Sequence, residues 1–367
     1  MKISNFDLEK WYVEFEFKSK YNLSASGIKP LNFNELKDIQ ELNDITLTYT
    51  PAHGDDELIK LIAKKNNVDK SNVLITNGAI EALFITQLSL FEKGDNVIVQ
   101  KPTYPALYKV LEDLNVNIID WRLDFNESYN PNINKLNTLM EEYKPKALII
   151  NFPNNPTGAD LNQEEKSLII DLCKKYDSYL ISDEVYSKLS LENTGIFKDY
   201  SKKITIDSLS KTYGLAGLRI GWVIAEQNII DKLMNTRLYM TLCNNAISQK
   251  IALNILKNSE SYISKNLALL DKNKKITLEY LDKLKNLGLI DYIPPISGLT
   301  IFVKVNITND IESFSRDFED KTSILLLPAN RYEKQYNNFF RLGFGIDTEI
   351  LKYCLDKFSE YIIKLRL

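Results

Sequence analysis

The chain is predicted to be an α/β protein: a mostly parallel sheet flanked by helices, with a second, smaller α+β unit. Three observations lead there. From about residue 71 to 225, short β-branched runs alternate with helix-like segments, as in a parallel sheet covered on both faces. From about 227 to 289, apolar residues recur at spacings of three and four beside lysine-rich polar faces, which is a helical period. After Pro294 and Pro295 come strand-like pieces and a last amphipathic helix. A length of 367 residues accommodates two such units.

The N-terminus, "MKISNFDLEKWYVEFEFKSK", is broken by charges every few residues, so it reads as neither a signal peptide nor an anchor. The strands follow as "VLIT" (73–76), "NVIVQ" (96–100), "ALIINF" (147–152), "YLISDE" (179–184), "KITIDSL" (203–209) and "IGWVIA" (220–225). In such sheets ligands sit outside the carboxyl ends of the strands, and polar residues cluster there. Within the helical stretch, "DKNKK" (271–275) reads as a solvated helix face. "GLTIFVKV", "SILLLP" and "FFRLGF" supply the strands of the smaller unit. There is no internal repeat and no low-complexity linker, so the two units are expected to pack together.

Composition narrows the function classes. An apolar fraction of 44% with 26% charged residues is that of a soluble globular protein. A formal charge of −3 offers no field for nucleic acid or anionic lipid. Cys173, Cys243 and Cys354 are far apart and outside any CxxC pattern, which suits reduced core residues of a cytoplasmic protein. His53 is the sole histidine and is read as structural. A His-rich metal site is therefore excluded, and acid–base chemistry falls to other groups.

The polar residues at strand ends carry the chemistry. In "SLSKTYGLAGLRIGWV" (208–223), Lys211 follows a buried strand between two hydroxyl residues. Desolvated there, a lysine has a lowered pKa and attacks carbonyl carbons to form a Schiff base. Asp183 ends "YLISDE", where a buried carboxylate must be paired. A helix N-terminus would serve, as would the protonated ring nitrogen of a pyridoxal cofactor; Tyr186 could reach the same ring. In "NFPNNPTGA" (151–159), Asn155 precedes Pro156, is expected to be extended, and can aim its amide at a ligand. "ITNGAIEAL" (75–83) reads as strand, glycine turn and helix start, so the N–H groups of Ala79 and Ile80 could cradle an anion. Ser208, Ser210 and Arg219 would complete a phosphate cup.

Together "SLSKTYGLAGLRIGW", "NFPNNPTG", "SDEVY" and "TNGAIEAL" resemble the fold-type I pyridoxal-5'-phosphate enzymes of the class I/II aminotransferase group, in the family's order from about residue 47 to 345. The resemblance implies a seven-stranded-type large domain over 45–255, and a small domain from 1–44 and 256–367. It implies that Lys211 forms the Schiff base and shuttles the proton, that Asp183 pairs with the pyridine nitrogen, and that Asn155 and Tyr186 bond the phenolic oxygen. Tyr104, in "KPTYPALY", would stack on the ring, while Ser208, Ser210, Arg219 and the Ala79 and Ile80 amides would hold phosphate. Arg341, in "FFRLGFG", would clamp the substrate α-carboxylate, with planar bidentate geometry. Tyr49, in "LTYTPAHG", would reach the phosphate of a neighbouring subunit, implying a homodimer with shared sites. Gly27 is a candidate for close approach to substrate.

Two positions depart from the family's pattern. Ala79 and Ile80 stand where relatives often carry a hydroxyl or lysine, leaving backbone donors alone. "NLSASGIKPLNF" (22–33) matches the substrate-gating region only loosely. The implied activity is amino transfer between an L-amino acid and a 2-oxo acid. The alternative is a lyase or amino-acid cyclase on the same frame, since "SGIKPLNFNEL" and "NGAIEALF" are similar to a branch containing such a cyclase. The fold also occurs fused to DNA-binding modules, but the stretch before Tyr49 is too short for a winged helix, and the balanced charge agrees.

Overall fold

The computed structural model describes residues 3–36, 42, 44–190 and 200–366. Helix α1 (Asp7–Phe15) and strand β1 (Tyr21–Asn22) lead the chain. Leu8, Trp11 and Phe15 form the buried stripe of α1, and the Trp11 indole donates to the Leu326 carbonyl at 2.8 Å. The N-terminal segment is thereby fastened to the last third of the chain. Helix α2 (Asp56–Asn66) starts where the Asp55 carboxylate caps the N–H groups of Glu57 and Leu58, a favoured N-cap.

The next elements alternate as the sequence predicts: β2 (Val73–Thr76), α3 (Ala79–Leu90), β3 (Asn96–Lys101), α4 (Lys109–Asp113), β4 (Asn117–Arg122), α5 (Ile133–Tyr143), β5 (Ala147–Asn151), α6 (Gln163–Lys175), β6 (Tyr179–Asp183), β7 (Lys203–Ser208) and β8 (Gly221–Ile224). They build a seven-stranded sheet in the order β2-β8-β7-β6-β5-β3-β4. All neighbours are parallel except β8, which runs antiparallel to both β2 and β7. Strand β4 is absent from the six predicted runs. Its residues "NIIDWR" lie at the sheet edge, where only Trp121 is fully buried, so its polar half hides the strand pattern. The inner strands β5 and β8, and β2 at the other edge, are buried along their whole lengths, which is why they read as continuous apolar runs.

Helices α7 (Gln227–Arg237), α8 (Ala246–Lys257) and α9 (Ser259–Asn286) follow. Strands β9 (Ile290–Tyr292) and β10 (Thr300–Val305), helix α10 (Ile311–Thr322), strands β11 (Ile324–Leu325), β12 (Leu327–Pro328) and β13 (Phe339–Gly343), and helix α11 (Thr348–Arg366) end the chain. A smaller four-stranded sheet runs β12-β13-β10-β9, and β11 pairs with β1. One hydrophobic cluster joins Ile98 and Leu148 of the large sheet to Phe302 and Leu327 of the small one, with Leu8 and Trp11 among them. The two sheets are thus packed through a common core, with α1 laid over it.

Two expectations change in detail. Within "DKNKK", Asn273 is fully buried and donates to the carbonyls of Phe344 and Ile346 at 2.9 and 2.8 Å. Only the flanking side chains of that run face water, because one amide anchors the long helix to the strand-end loop beneath it. Cys173 and Cys354 are buried, but Cys243 is half-buried, and all three are free. Among the described residues no helix is long and apolar enough to cross a membrane.

Candidate active site

The carboxyl ends of β5, β6 and β7 open onto a cavity of about 400 Å³, the size of a small-molecule pocket. Asn155, Asp183, Tyr186, Ser208, Ser210 and Lys211 line it from the sheet side. Ala79, Ile80 and Arg219 line one end, and Arg341 the other, with Tyr104 between. The residues singled out in the sequence therefore meet in one place, with two exceptions. Tyr49 is 80% exposed and is not among the lining residues. Gly27 lines an adjoining wider cavity that also reaches Lys211; a Cβ there would sit 3.4 Å from the Ser210 carbonyl oxygen, so the backbone passes close beside Lys211. The His53 carbonyl accepts the Ile75 N–H at 3.0 Å, a structural role.

Lys211 Nζ donates to the Ser26 hydroxyl at 2.8 Å. Burial, with the nearby Arg341 cation, lowers its pKa to about 8. Asp183 accepts the Val185 N–H at 3.3 Å, and burial pushes its carboxyl up to about 7. It forms no ion pair among the described residues, and Lys211 offsets only part of the burial cost.

Arg341 is 1% exposed and spends its N–H groups on neutral acceptors. Nε and Nη2 donate to the Ser24 carbonyl at 3.2 and 2.6 Å, Nη1 donates to Asn155 Oδ1 and the Tyr332 hydroxyl at 3.0 and 2.7 Å, and Nη2 also meets the Tyr12 hydroxyl. No carboxylate pairs with this buried cation among the described residues. Tyr332 donates in turn to Asn155 Oδ1 at 2.8 Å, leaving the Asn155 amide N–H₂ as its donor. The Asn155–Pro156 peptide is cis.

At the opposite end, Gly78 precedes α3 with φ 78°. A Cβ there would lie 2.7 Å from the Arg219 guanidinium, so glycine both permits the turn and lets the cation close on it. Arg219, itself left-handed at φ 53°, is held by the carbonyls of Ala216 and Asn77 at 2.9 and 3.4 Å. Ser208 Oγ accepts the Ser210 N–H at 3.3 Å. Helix α3 has no side-chain cap, so its first amides remain available to an anion.

Sequence reasoning missed the roof and the supports. Glu9 and Tyr12 of α1 line the cavity. Glu9 Oε1 accepts the Tyr104 hydroxyl at 2.6 Å. Tyr186 donates to the Ser26 carbonyl at 2.8 Å. Sequence reasoning reads the N-terminal segment only for its charges, while its apolar spacing at Leu8, Trp11 and Phe15 marks the buried face of α1; nothing local says that the adjacent Glu9–Tyr12 stripe faces a cavity made elsewhere.

The arrangement fits pyridoxal phosphate. A buried carboxylate without a cation, an amine of lowered pKa and a turn of free amides with an arginine beside it match the ring nitrogen, the aldehyde carbon and the phosphate in turn.

The chain resembles known proteins along nearly its whole length. It is 25% identical over 364 residues to the capreomycidine synthase of Streptomyces vinaceus, covering 96% of this chain and 92% of that one. It is 29% identical over 327 residues to the aspartate aminotransferase of Thermotoga maritima, covering 86% and 83%. The crystal structure of a PLP-dependent aminotransferase from Streptococcus suis superimposes with a TM-score of 0.91 at 30% identity, covering 99% of each chain. The family model for aminotransferase class I and II matches residues 28–358, and the chain belongs to that family of pyridoxal-phosphate-dependent enzymes.

Proposed function

We propose that this enzyme is an aminotransferase that moves an amino group between an L-amino acid and a 2-oxo acid, with Lys211 as its catalytic base. The observation that carries the proposal is the convergence of Lys211, Asp183 and Arg341 on one cavity. When bound, pyridoxal phosphate supplies an electron sink for negative charge developing at the substrate α-carbon. Asp183 would hold a proton at the ring nitrogen. Asn155 and Tyr186 would face the phenolic oxygen, and Tyr104 the ring. Ser208, Ser210, Arg219 and the amides of Ala79 and Ile80 would hold the phosphate.

Arg341 would take the α-carboxylate as a bidentate pair, fixing which bond at the α-carbon faces Lys211. With a pKa of about 8, Lys211 is partly unprotonated near neutral pH. It can take a proton from the α-carbon and return it elsewhere. Glu9 and Tyr12, above the cavity, exclude water. Gly27 lets the backbone approach the substrate. Tyr49 would serve the neighbouring subunit of a homodimer.

A second reading is cyclisation or elimination, favoured by the similarity to capreomycidine synthase over 96% of this chain. One experiment separates the two. Incubated with each amino acid alone, an aminotransferase releases one 2-oxo acid per site and stops. Sustained turnover without any 2-oxo acid acceptor would overturn amino transfer and favour the lyase or cyclase.

A further inference from the structure

The anion site at the start of α3 is built on a buried carboxylate, an unexpected support for a site that would take a phosphate. Glu81, in the first turn of α3 and 7% exposed, reaches back past the uncapped helix end. Its Oε2 accepts the backbone N–H of Asn77 at 2.5 Å, and its Oε1 accepts the Asn77 side-chain amide at 3.3 Å. The Gly78 N–H goes to the Thr76 carbonyl at 2.9 Å. The turn's earlier donors are thus consumed by the protein, while those of Ala79 and Ile80 point onward. A carboxylate suits a helix N-terminus, but beside a phosphate it would repel.

Arg237 answers that charge. It is 0% exposed, and its Nε lies 3.6 Å from Glu81 Oε2 without a hydrogen bond. The rest of its guanidinium is held by the Ala52 carbonyl and by Asn244 Oδ1, the latter at 2.5 Å. Asn244 closes the circuit by donating to Asn77 Oδ1 at 3.0 Å. A fully buried guanidinium is costly unless it neutralises something, and Glu81 is the only carboxylate within ion-pair distance among the described residues.

We propose that Glu81 and Arg237 are positioning residues for this anion site: Glu81 shapes the Asn77–Ala79 turn, and Arg237 cancels the carboxylate so that a phosphate can approach. The proposal rests on the reading of that turn as the phosphate cup. It concerns neither substrate nor reaction type, and its readout is binding.

The full chain, freed of cofactor, would be titrated with pyridoxal phosphate, pyridoxal and inorganic phosphate by calorimetry. Arg237→Met should weaken both phosphate-bearing ligands about tenfold or more, with pyridoxal changed by less than about threefold. Arg237→Lys should recover part of the loss. Adding Glu81→Gln to Arg237→Met should recover most of it, because the glutamine oxygen keeps an acceptor for the Asn77 backbone N–H and the charge is removed. Equal weakening of pyridoxal and pyridoxal phosphate by Arg237→Met would overturn the proposal, as would a double variant no better than the single one. If Arg237→Met does not fold, Glu81→Gln decides: phosphate affinity retained or raised supports charge compensation, and phosphate affinity lost contradicts it. An unaltered chain that binds pyridoxal phosphate no better than pyridoxal would sink the phosphate cup itself, a result distinct from all of these.

Discussion

Lys211 Nζ donates to the Ser26 hydroxyl at 2.8 Å, so the amine at the end of β7 is met by the segment that follows β1, far away in sequence. Burial and Arg341 lower its pKa to about 8. Because the folded value lies below that of a free lysine, the unfolded chain holds the extra proton between the two, and native stability rises with pH across that window. Reactivity follows the same titration. Borohydride trapping of a carbonyl ligand on the cofactor-free enzyme should increase up to about pH 8 and then level. Lys211→Ala should abolish both this trapping and the visible absorption of the bound cofactor. A plateau reached only near the pKa of free lysine, or an adduct mapped to another lysine, would contradict the assignment.

Asp183 gives the opposite sign. Its carboxyl is raised to about 7 by burial, so from the usual aspartate range up to about 7 the folded, cofactor-free chain binds the extra proton. Stability from this group is lost as pH rises through that window, on the order of a few kcal/mol. Asp183→Asn, which cannot ionise, should therefore make the cofactor-free protein melt higher than the unaltered one at pH 8, with the gap closing near pH 4. The same variant should retain the cofactor yet lose at least about a hundredfold in turnover, since an unprotonated ring is a poor electron sink. A melting difference independent of pH would show that Asp183 is not a strained buried acid.

These residues were legible because each stands at a strand end, where an apolar run stops at a polar side chain: Asp183 after "YLIS" and Lys211 after "KITIDSLS". The backbone amides of Ala79 and Ile80 were legible from the glycine that opens their helix. Illegible were groups that reach the cavity from far away in sequence. Glu9 and Tyr12 sit on a short helix whose pattern announces only its buried face, and Tyr332 is one tyrosine among 20. The edge strand β4 was missed because half of its residues are polar and only Trp121 is fully buried, and the reversal of β8 was missed because hydrophobic pattern carries no strand direction. The Glu81–Arg237 pair escaped for the same reason as the roof, since two charges 3.6 Å apart in space lie on helices far apart in sequence.

Arg341 is a buried cation whose N–H groups all meet neutral oxygens, so an incoming carboxylate gains a charge-assisted pair and must displace some of these acceptors. Arg341→Lys keeps the charge but loses the planar fork. It should weaken binding of α-carboxylate ligands by at least about tenfold, and the corresponding α-amides, which bear no charge, should change far less. Calorimetric titration of acid and amide pairs measures the difference. Parallel losses for both would mean that Arg341 supports Asn155 and Tyr332 without touching substrate.

Tyr49 and Tyr239 are 80% and 96% exposed, aromatic surface that a partner could cover. Tyr49 lies in the segment whose Ala52 carbonyl is held by Arg237, and its exposed ring is not among the residues that line its own cavity. A second copy of the chain would bury such rings, and Tyr49 would then complete the partner's phosphate cup. Sedimentation should give a dimer. Tyr49→Ala should weaken pyridoxal phosphate by about three- to tenfold without changing the affinity for pyridoxal. At a pyridoxal phosphate concentration too low to load Tyr49→Ala, mixing Tyr49→Ala with inactive Lys211→Ala subunits should restore activity, because each hybrid dimer contains one site with both residues intact. If verified subunit exchange restores none, Tyr49 does not act across the interface.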